Sequence, residues 1–352
     1  MKSNFKFSAF VPVLASPAVF DWLRNEPDQT SLSAVLPFMA SDPAPTSWRS
    51  QGLTLNFNGT AVHQIEPAKW LMQLQFNERI LPGKVRDEFL SKRVAEFDER
   101  EGRKPGKKDY AMLKEEVEFE LLPKAFIRRS QVPVIFLGKQ RMVLIGTSSP
   151  KRADEVMAIL HGFFDNMTKS ETHWFGLTPV GNIVECLGFI AKGGVSTDNE
   201  DNFFVADSAV LRGTEKQTIR IKDKDIGGHD VQELLKQQYD VHELAFAYDP
   251  NGNEDEPLAS FTFSDKMVFK RLKLNDGVAR VEYGTVETNE QQTEAVIWLT
   301  ARTAQEIVTS FMDEFGGYKN LTEMKKEAKA DEKAAAAANA VDPLNDEYDE
   351  EL

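Results

Sequence analysis

Residues Arg79 to Ser130 read RILPGKVRDEFLSKRVAEFDEREGRKPGKKDYAMLKEEVEFELLPKAFIRRS, and this stretch decides most of what the sequence predicts about the fold. Apolar residues recur at the spacing of one helix face in two sets: Val85, Phe89, Val94 and Phe97, then Tyr110, Leu113, Val117 and Leu121. The basic segment Arg100–Lys108 between them fits neither helix nor strand periodicity, which predicts a flexible connection. Pro123 ends the second helix, because proline lacks the amide hydrogen and clashes with the preceding turn. The stretch therefore predicts two helices joined by a basic loop.

The segments on both sides of this helical pair predict strands. Upstream, Phe5–Leu14 is an apolar run that we interpret as a folded first strand, and Leu71–Phe76 alternates in part. The interval Ser41–Ser47 is rich in Pro, Ser and Asp and predicts a loop. Downstream, Val132–Thr147 predicts a β-hairpin that turns near Gly138–Gln140.

The second half of the chain mixes short strands with amphipathic helices. The first predicted element is a helix over about Lys151–Phe164 with Val156, Leu160 and Phe163 inward, and a loop over Gly193–Asn202 comes later. Next come a short helix around Val231–Gln238, a strand Leu244–Tyr248, and a hairpin of Ser260–Phe263 and Val268–Leu274. The last are a buried strand Ala295–Leu299 and a helix from about Ala304 to Phe315, which Gly316 and Gly317 close.

These elements predict an α+β protein with mixed sheets and helices. Its four predicted parts are an N-terminal α/β part at 1–78, a central helical and hairpin segment with basic excess at 79–170, a C-terminal α/β part at 171–319, and an acidic low-complexity tail at 320–352. The last segment, Asp342–Leu352, has six acidic residues and no basic one. The composition of the tail is typical of a disordered or marginally helical segment.

The overall charge hides one locally basic region. The net charge is −14, but between Arg79 and Arg152 there are 18 Lys and Arg against 11 Asp and Glu, an excess of +7. Such asymmetry is typical either of a basic face on an acidic body or of solvated charged helices. There is no run of 18 apolar residues, and Met1–Phe20 lacks a convincing signal-peptide cleavage site. We therefore expect a cytoplasmic protein without a membrane helix.

The sequence contains no recognisable catalytic motif. The lone cysteine, Cys186, is either a nucleophile or, as its apolar neighbours favour, a buried core thiol. Acidic-x-Lys triplets, which metal-dependent nucleases commonly use, occur only in the tail, at Glu323/Lys325, Glu327/Lys329 and Asp331/Lys333. The five histidines lack metal-ligand spacing, and there is no phosphate-binding glycine loop. We predict no catalytic residue, metal or cofactor, while a site assembled from distant residues stays open.

Three short segments concentrate basic residues where a duplex could contact them. The first follows the second helix, the second covers residues 220–224, and the third is the strand at 269–274. The candidate phosphate ligands are Lys124, Arg128, Arg129, Lys222, Lys224, Lys270, Arg271 and Lys273. None has the spacing of a base-reading motif, so these residues favour phosphate contact without sequence preference. The alternative is that they are the solvated faces of ordinary strands.

The same segments resemble the RdgC family of recombination-associated proteins. The resemblance, which covers roughly residues 5–317, is carried by Arg79-Ile80-Leu81-Pro82, two charged helices, Leu121-Leu122-Pro123-Lys124-Ala125-Phe126, the strand Phe269–Leu274, and Ile297-Trp298-Leu299-Thr300 before a helix to Phe315-Gly316-Gly317, with Trp48 at the position of the family's N-terminal tryptophan. Its specificity rests on the order and spacing of these blocks.

The resemblance implies an elongated subunit that forms a ring-shaped homodimer around double-stranded DNA. It also implies nucleoid association, DNA binding without sequence preference, and competition with a RecA-type recombinase. Phe126 matches the aromatic residue of the family's dimer interface; the alternative is an ordinary core phenylalanine after a helix stop. Asp223 stands where the family pattern has a basic residue, and the tail after Lys319 extends beyond the family core.

Three functions from different classes remain open at this point. The first is a non-enzymatic DNA-binding protein that limits access of a RecA-type recombinase. The second is a nuclease or nuclease subunit that acts in recombination. The third is a module that uses its acidic tail to recruit a protein partner.

Overall fold

A computed structural model describes residues 5–25, 32–193, 202–215, 217–275, 277 and 288–339. The chain divides into two compact units, a larger one of Met1–Trp22 with Ile135–Leu352 and a smaller one of Leu23–Val134. The central segment 79–170 contributes residues to both units. The described part of the chain is α+β with two antiparallel sheets, in agreement with the predicted class.

The smaller unit is built around one long strand. Helix α1 covers Pro17–Asn25. The elements of the smaller unit that follow it are α2 (Leu32–Val35), a 3-10 turn (Leu36–Phe38), β2 (Arg49–Thr54), β3 (Val62–Glu66), β4 (Lys69–Ile80), α3 (Gly83–Glu101), α4 (Lys107–Leu121), a second 3-10 turn (Leu122–Lys124) and most of β5 (Phe126–Leu137). Both β2 and β3 pair antiparallel with β4, and β5 is a further neighbour of β4. The predicted strand Leu71–Phe76 is confirmed as the buried middle of β4.

The two helices predicted from the opening stretch are confirmed as α3 and α4. Gly102, at φ 66°, ends α3 in the left-handed conformation that glycine adopts without steric cost. Leu90, Phe97 and Leu113 form one buried cluster of this pair, with Val94 packed against it, and Val117 and Leu121 of α4 are also buried. Val85 and Tyr110, predicted on the inner faces, are exposed.

In the larger unit, the first sheet has β1 (Val11–Ala15) between two antiparallel partners. These are β6 (Met142–Ile145) and β7 (Trp174–Gly176), and the end of β5 is the other neighbour of β6. The predicted hairpin of β5 and β6 is therefore confirmed. The next predicted helix is also confirmed, as α5 (Pro150–Thr168), and its three predicted inward residues are fully buried.

The second sheet has the strand order β12-β11-β10-β8-β9. Its strands are β8 (Phe203–Arg212), β9 (Thr218–Ile221), β10 (Asp240–Tyr248), β11 (Ala259–Ser264) and β12 (Val268–Leu274). The helices of this half are α6 (Ile183–Ala191), α7 (His229–Lys236), α8 (Asn289–Asp313) and α9 (Leu321–Asn339). Phe311 of α8 packs on buried rings of the sheet, among them Phe246, Phe261 and Phe263. The predicted hairpin of β11 and β12 is confirmed.

The predicted buried strand Ala295–Leu299 is wrong, because these residues lie inside α8. The predicted burial is correct, since Ile297 and Leu299 are almost inaccessible to solvent. A short apolar run has the same composition in a buried strand and in a buried helix, so periodicity alone does not separate them. The start of α8 is defined by a capping box between Thr288 and Gln291.

The predicted tail begins with a helix. α9 covers Leu321–Asn339, and near its start Lys319 pairs with Glu327 at 2.8 Å. The acidic segment Asp342–Leu352 and most of the predicted loop Gly193–Asn202 lie outside the described residues. Within the ranges that the structure describes, no helix combines the length and apolar character needed to cross a membrane.

Candidate nucleic-acid interface

In the smaller unit, the candidate residues lie where α4 passes into β5. Leu121 ends α4, and Leu122–Lys124 forms a 3-10 turn before β5 begins. The guanidinium of Arg79 fixes this turn by donating hydrogen bonds to the carbonyl oxygens of Leu122 at 2.9 Å and Pro123 at 3.2 Å. The turn therefore holds Lys124 and the first residues of β5 in a defined place.

Phe126, the first residue of β5, has 85% of its surface exposed. The alternative interpretation as an ordinary core phenylalanine is therefore wrong. The helix ends at Leu121, and β5 starts at Phe126 after the 3-10 turn that contains Pro123. An aromatic ring of this exposure is available for a contact outside its own chain.

The basic side chains around Phe126 are paired with carboxylates. Arg128 lies 2.5 Å from Glu78, and Arg129 lies 2.8 Å from Asp42. Because successive strand residues point to opposite faces, the side chains of these two arginines lie on opposite faces of β5.

Lys124 belongs to a separate charge cluster at the end of α4. Its ammonium lies 3.8 Å from the carboxylate of Glu120. The pKa of Glu120 is lowered, first by a hydrogen bond from Arg93 and further by the charge of Lys124. This carboxylate therefore stays ionised beside the candidate lysine.

In the larger unit, one group of candidates follows the end of β9. Lys222 is exposed and has no ion pair within the described ranges. Lys224 contacts the carboxylate of Asp230 at 2.5 Å, and this hydrogen bond is the first cause of the lowered pKa of Asp230. Asp223 between them has φ 51°, a left-handed turn conformation that Asp tolerates better than most residues.

The other group lies on β12, where the alternation of side chains between the two strand faces is interrupted. The register slips between Ser260 and Thr262 of β11, so β12 has a bulge between Lys270 and Lys273. Arg271 in the bulge has φ 54° and is exposed, as is Lys273. Lys270 is half-buried and pairs with Glu243 at 2.7 Å.

The structure does not bring all candidates in the larger unit together. Strands β9 and β12 form opposite edges of the same five-stranded sheet. Lys222 and Lys224 therefore lie at one edge, while Lys270, Arg271 and Lys273 lie at the other. A duplex bound by both groups would have to span the sheet.

Sequence reasoning missed the carboxylates that pair with these bases, and it missed Arg49. Glu78 precedes Arg128 by 50 residues, Asp42 precedes Arg129 by 87, and Glu243 precedes Lys270 by 27. Such pairs have no local signature, because only the tertiary fold brings their members together. In β2, Arg49 stands directly opposite Glu78 of β4.

The tested catalytic features do not form a site. The tail triplets Glu323/Lys325 and Glu327/Lys329 lie on α9, where residues two positions apart point to different helix faces. No group of three or more His, Cys, Asp or Glu suited to a metal is found among the residues with described positions. Cys186 was interpreted as a core thiol, but it is only half-buried; burial, followed by the charges of Glu185 and Glu314, raises the pKa of its thiol.

Comparison with known proteins identifies the relatives of this chain. A family model described as "Putative exonuclease, RdgC" matches residues 25–318. "Recombination-associated protein RdgC" of Pseudomonas syringae pv. syringae is 32% identical over 208 residues, which are 58% of this chain and 63% of that protein. The protein of the same name from Pseudomonas putida is 27% identical over 250 residues, covering 70% of this chain and 77% of the relative. The protein of the same name from Xanthomonas oryzae pv. oryzae is 24% identical over 257 residues, covering 71% of this chain and 80% of the relative. The chain thus spans less than two thirds of the length of the Pseudomonas syringae relative.

Proposed function

This chain belongs to the RdgC family of recombination-associated proteins, and on that premise we propose that it binds duplex DNA without sequence preference. It acts as a homodimer that encircles the duplex. By covering DNA in the nucleoid it limits the access of a RecA-type recombinase. The basic side chains contact DNA phosphates and have no catalytic role.

The observation that carries the proposal is the set of exposed bases at the edges of the five-stranded sheet. Arg271 and Lys273 at one edge and Lys222 at the other have no ion pair within the described ranges. Their charges are therefore available to phosphate. None of these residues lies on a helix that could enter the major groove, which is consistent with phosphate contact without base reading.

The paired bases fit the same proposal. Arg128, Arg129, Lys224 and Lys270 each have a carboxylate within 2.8 Å. The pairs Arg129–Asp42 and Lys224–Asp230 are exposed on both sides. Exposed ion pairs contribute little to stability, so a phosphate can replace the carboxylate in these two pairs at small cost. The carboxylates reduce the attraction for DNA and keep binding weak enough to reverse. A ring does not require tight local contacts, because topology holds it on the duplex.

Phe126 provides the subunit contact in this proposal. At a two-fold interface, the ring meets its own copy, and burial of both rings adds apolar contact from both sides. The exposure of Phe126 supports this role. Opening of the contact would admit DNA to the ring.

A nuclease is the second candidate, because the matching family model carries the word exonuclease in its description. Catalysis of that kind requires carboxylates that hold a divalent metal beside the scissile phosphate. The half-buried pair of His242 and Asp265, 2.6 Å apart, is the nearest arrangement to a general base among the described residues. Magnesium-dependent cleavage that disappears in Asp265→Asn would establish this candidate.

One binding experiment tests the proposal against this candidate. The full chain is mixed with two unrelated duplexes of equal length over a series of salt concentrations, with magnesium present. We expect equal affinity for both duplexes, a steep loss of affinity with salt, and intact DNA. A strong preference for one sequence, or a flat salt response, would contradict the proposal.

A further inference from the structure

A row of three charged residues crosses the sheet of the smaller unit. Arg49 of β2 and Glu78 of β4 are cross-strand partners, and Arg128 of β5 reaches the same carboxylate. Glu78 Oε1 lies 3.7 Å from Arg49 Nε, and its Oε2 lies 2.5 Å from Arg128 Nη2. One carboxylate thus holds two guanidiniums, each through a different oxygen.

The exposure of the three side chains is unequal. Glu78 retains 17% of its side-chain surface, while Arg49 retains 67% and Arg128 retains 64%. The carboxylate is therefore shielded under the two guanidiniums, which face solvent. Each guanidinium has five N–H donors in a planar fork, so donors remain on both after the contact with Glu78.

The charge of this row is not balanced. Two guanidiniums and one carboxylate sum to +1, and no other carboxylate pairs with either arginine within the described ranges. The other candidate pairs, such as Arg129 with Asp42 and Lys224 with Asp230, each sum to zero. A single monoanionic group would neutralise the row.

We propose that Arg49 and Arg128, held together by Glu78, form a site for one phosphodiester of the nucleic-acid backbone. The proposal rests on the proposed function and adds two residues to it. Arg49 is a second phosphate ligand, and Glu78 is a positioning residue. The planar forks match phosphate oxygens, and a fixed pair loses less side-chain entropy on binding than two free arginines.

The site borders the exposed aromatic ring that was assigned to the subunit contact. Phe126 precedes Arg128 by two residues on β5, and Ile80 follows Glu78 by two on β4, so each shares a strand face with its charged neighbour. Both apolar side chains are exposed. Variants of the arginines must therefore be checked for an unchanged oligomeric state.

A double-mutant cycle on DNA affinity tests the site. We expect Arg49→Gln and Arg128→Gln each to weaken duplex binding and lower its salt dependence. The effects of the two changes should not be additive, because both arginines contact the same phosphate. The double variant should therefore reduce the log–log salt slope by about 0.9, the value for one phosphate. Arg128→Gln with Arg129→Gln is the matched control and should be additive, because Arg129 lies on the other strand face with its own carboxylate. Unchanged affinity in the single variants, or a loss of about 1.8 in the slope of the double variant, would overturn the proposal.

Two further measurements test the positioning role and separate this proposal from the proposed function. In a Glu78→Gln background the coupling between the arginines should vanish, although loss of the negative charge alone would strengthen DNA binding. Persistent coupling would overturn the role of Glu78. Titration with inorganic phosphate, followed by the arginine Nε resonances, should shift Arg49 and Arg128 together. If wild-type protein fails to bind duplex DNA while these resonances shift, the proposed function fails and the anion site stands. If duplex binds and the resonances stay unchanged on phosphate and duplex addition, the site is wrong.

Discussion

Phe10 and Phe269 exchange two backbone hydrogen bonds, of 2.8 and 2.9 Å, and their rings stack with centroids 4.6 Å apart. A third bond, from the amide of Leu272 to the carbonyl of Ser8, extends the same contact at 2.7 Å. The N-terminal segment thus pairs with β12, which ends the five-stranded sheet. An edge strand with unpaired amides invites association with other chains, and this contact covers part of it. The same strand carries the candidate bases Lys270, Arg271 and Lys273.

Phe10→Ala should destabilise the fold strongly. Both rings are fully buried, and loss of a buried phenylalanine costs about 3–5 kcal/mol. We expect a clearly lower denaturant midpoint, measured by urea unfolding. Phe189→Ala, a change at an exposed ring of α6 in the same unit, is the matched control and should leave the midpoint close to that of the wild type. Equal midpoints for the two variants would contradict the assigned burial.

Phe126→Ala should loosen the homodimer without unfolding the subunit. The ring is exposed in the single chain, so its removal creates no cavity in the core. We expect a larger dimer dissociation constant by sedimentation and weaker retention on circular DNA, with a nearly unchanged melting temperature. A dimer of wild-type strength would remove Phe126 from the interface.

Arg271→Gln and Lys273→Gln should each reduce the salt dependence of DNA binding. Both side chains are exposed at the edge of the sheet, and each phosphate contact contributes about 0.9 to the log–log slope. Lys151→Gln, an exposed change on α5 of the same unit, is the control and should leave the slope unchanged. A normal slope in both β12 variants would exclude this strand from the interface.

Removal of Asp342–Leu352 should strengthen DNA binding or leave it unchanged. This segment has six acidic residues, which we expect to compete with DNA phosphates for the same bases at high local concentration, and the effect should shrink as salt rises. A full-length tail with its acidic residues changed to Asn and Gln separates charge from length. Weaker DNA binding by the truncated chain would show that the tail is no competitor. Loss of a protein partner at unchanged DNA affinity would favour the recruiting module.

Sequence reasoning predicted the elements whose signals are local. The α3–α4 pair follows from helical spacing that ends at Pro123, and the β11–β12 hairpin follows from two apolar runs with a turn between them. The segment Ala295–Leu299 was assigned wrongly, because burial on all sides removes the periodicity that separates helix from strand. The break in alternation at Arg271 depends on a register slip against β11, which is a property of two strands together.

The candidate site was predictable only in part, for the same reason. Basic residues such as Arg128 are visible in the sequence, but their pairing with carboxylates is not. That pairing depends on Glu78, Asp42 and Glu243, which the tertiary fold brings near from distant positions. Arg49 stands alone in the sequence and becomes a candidate only when β2 pairs with β4.

Retention on closed circular DNA tests the central claim most directly. The protein is loaded at low salt on a closed circular duplex and on the same duplex made linear, and the salt concentration is then raised. A ring held by topology should remain on the circle and slide off the ends of the linear form, although phosphate contacts are weakened equally in both. We predict a larger retained fraction on the circle, and a smaller one when Phe126→Ala replaces the wild type. Equal loss from circular and linear DNA would contradict an encircling homodimer.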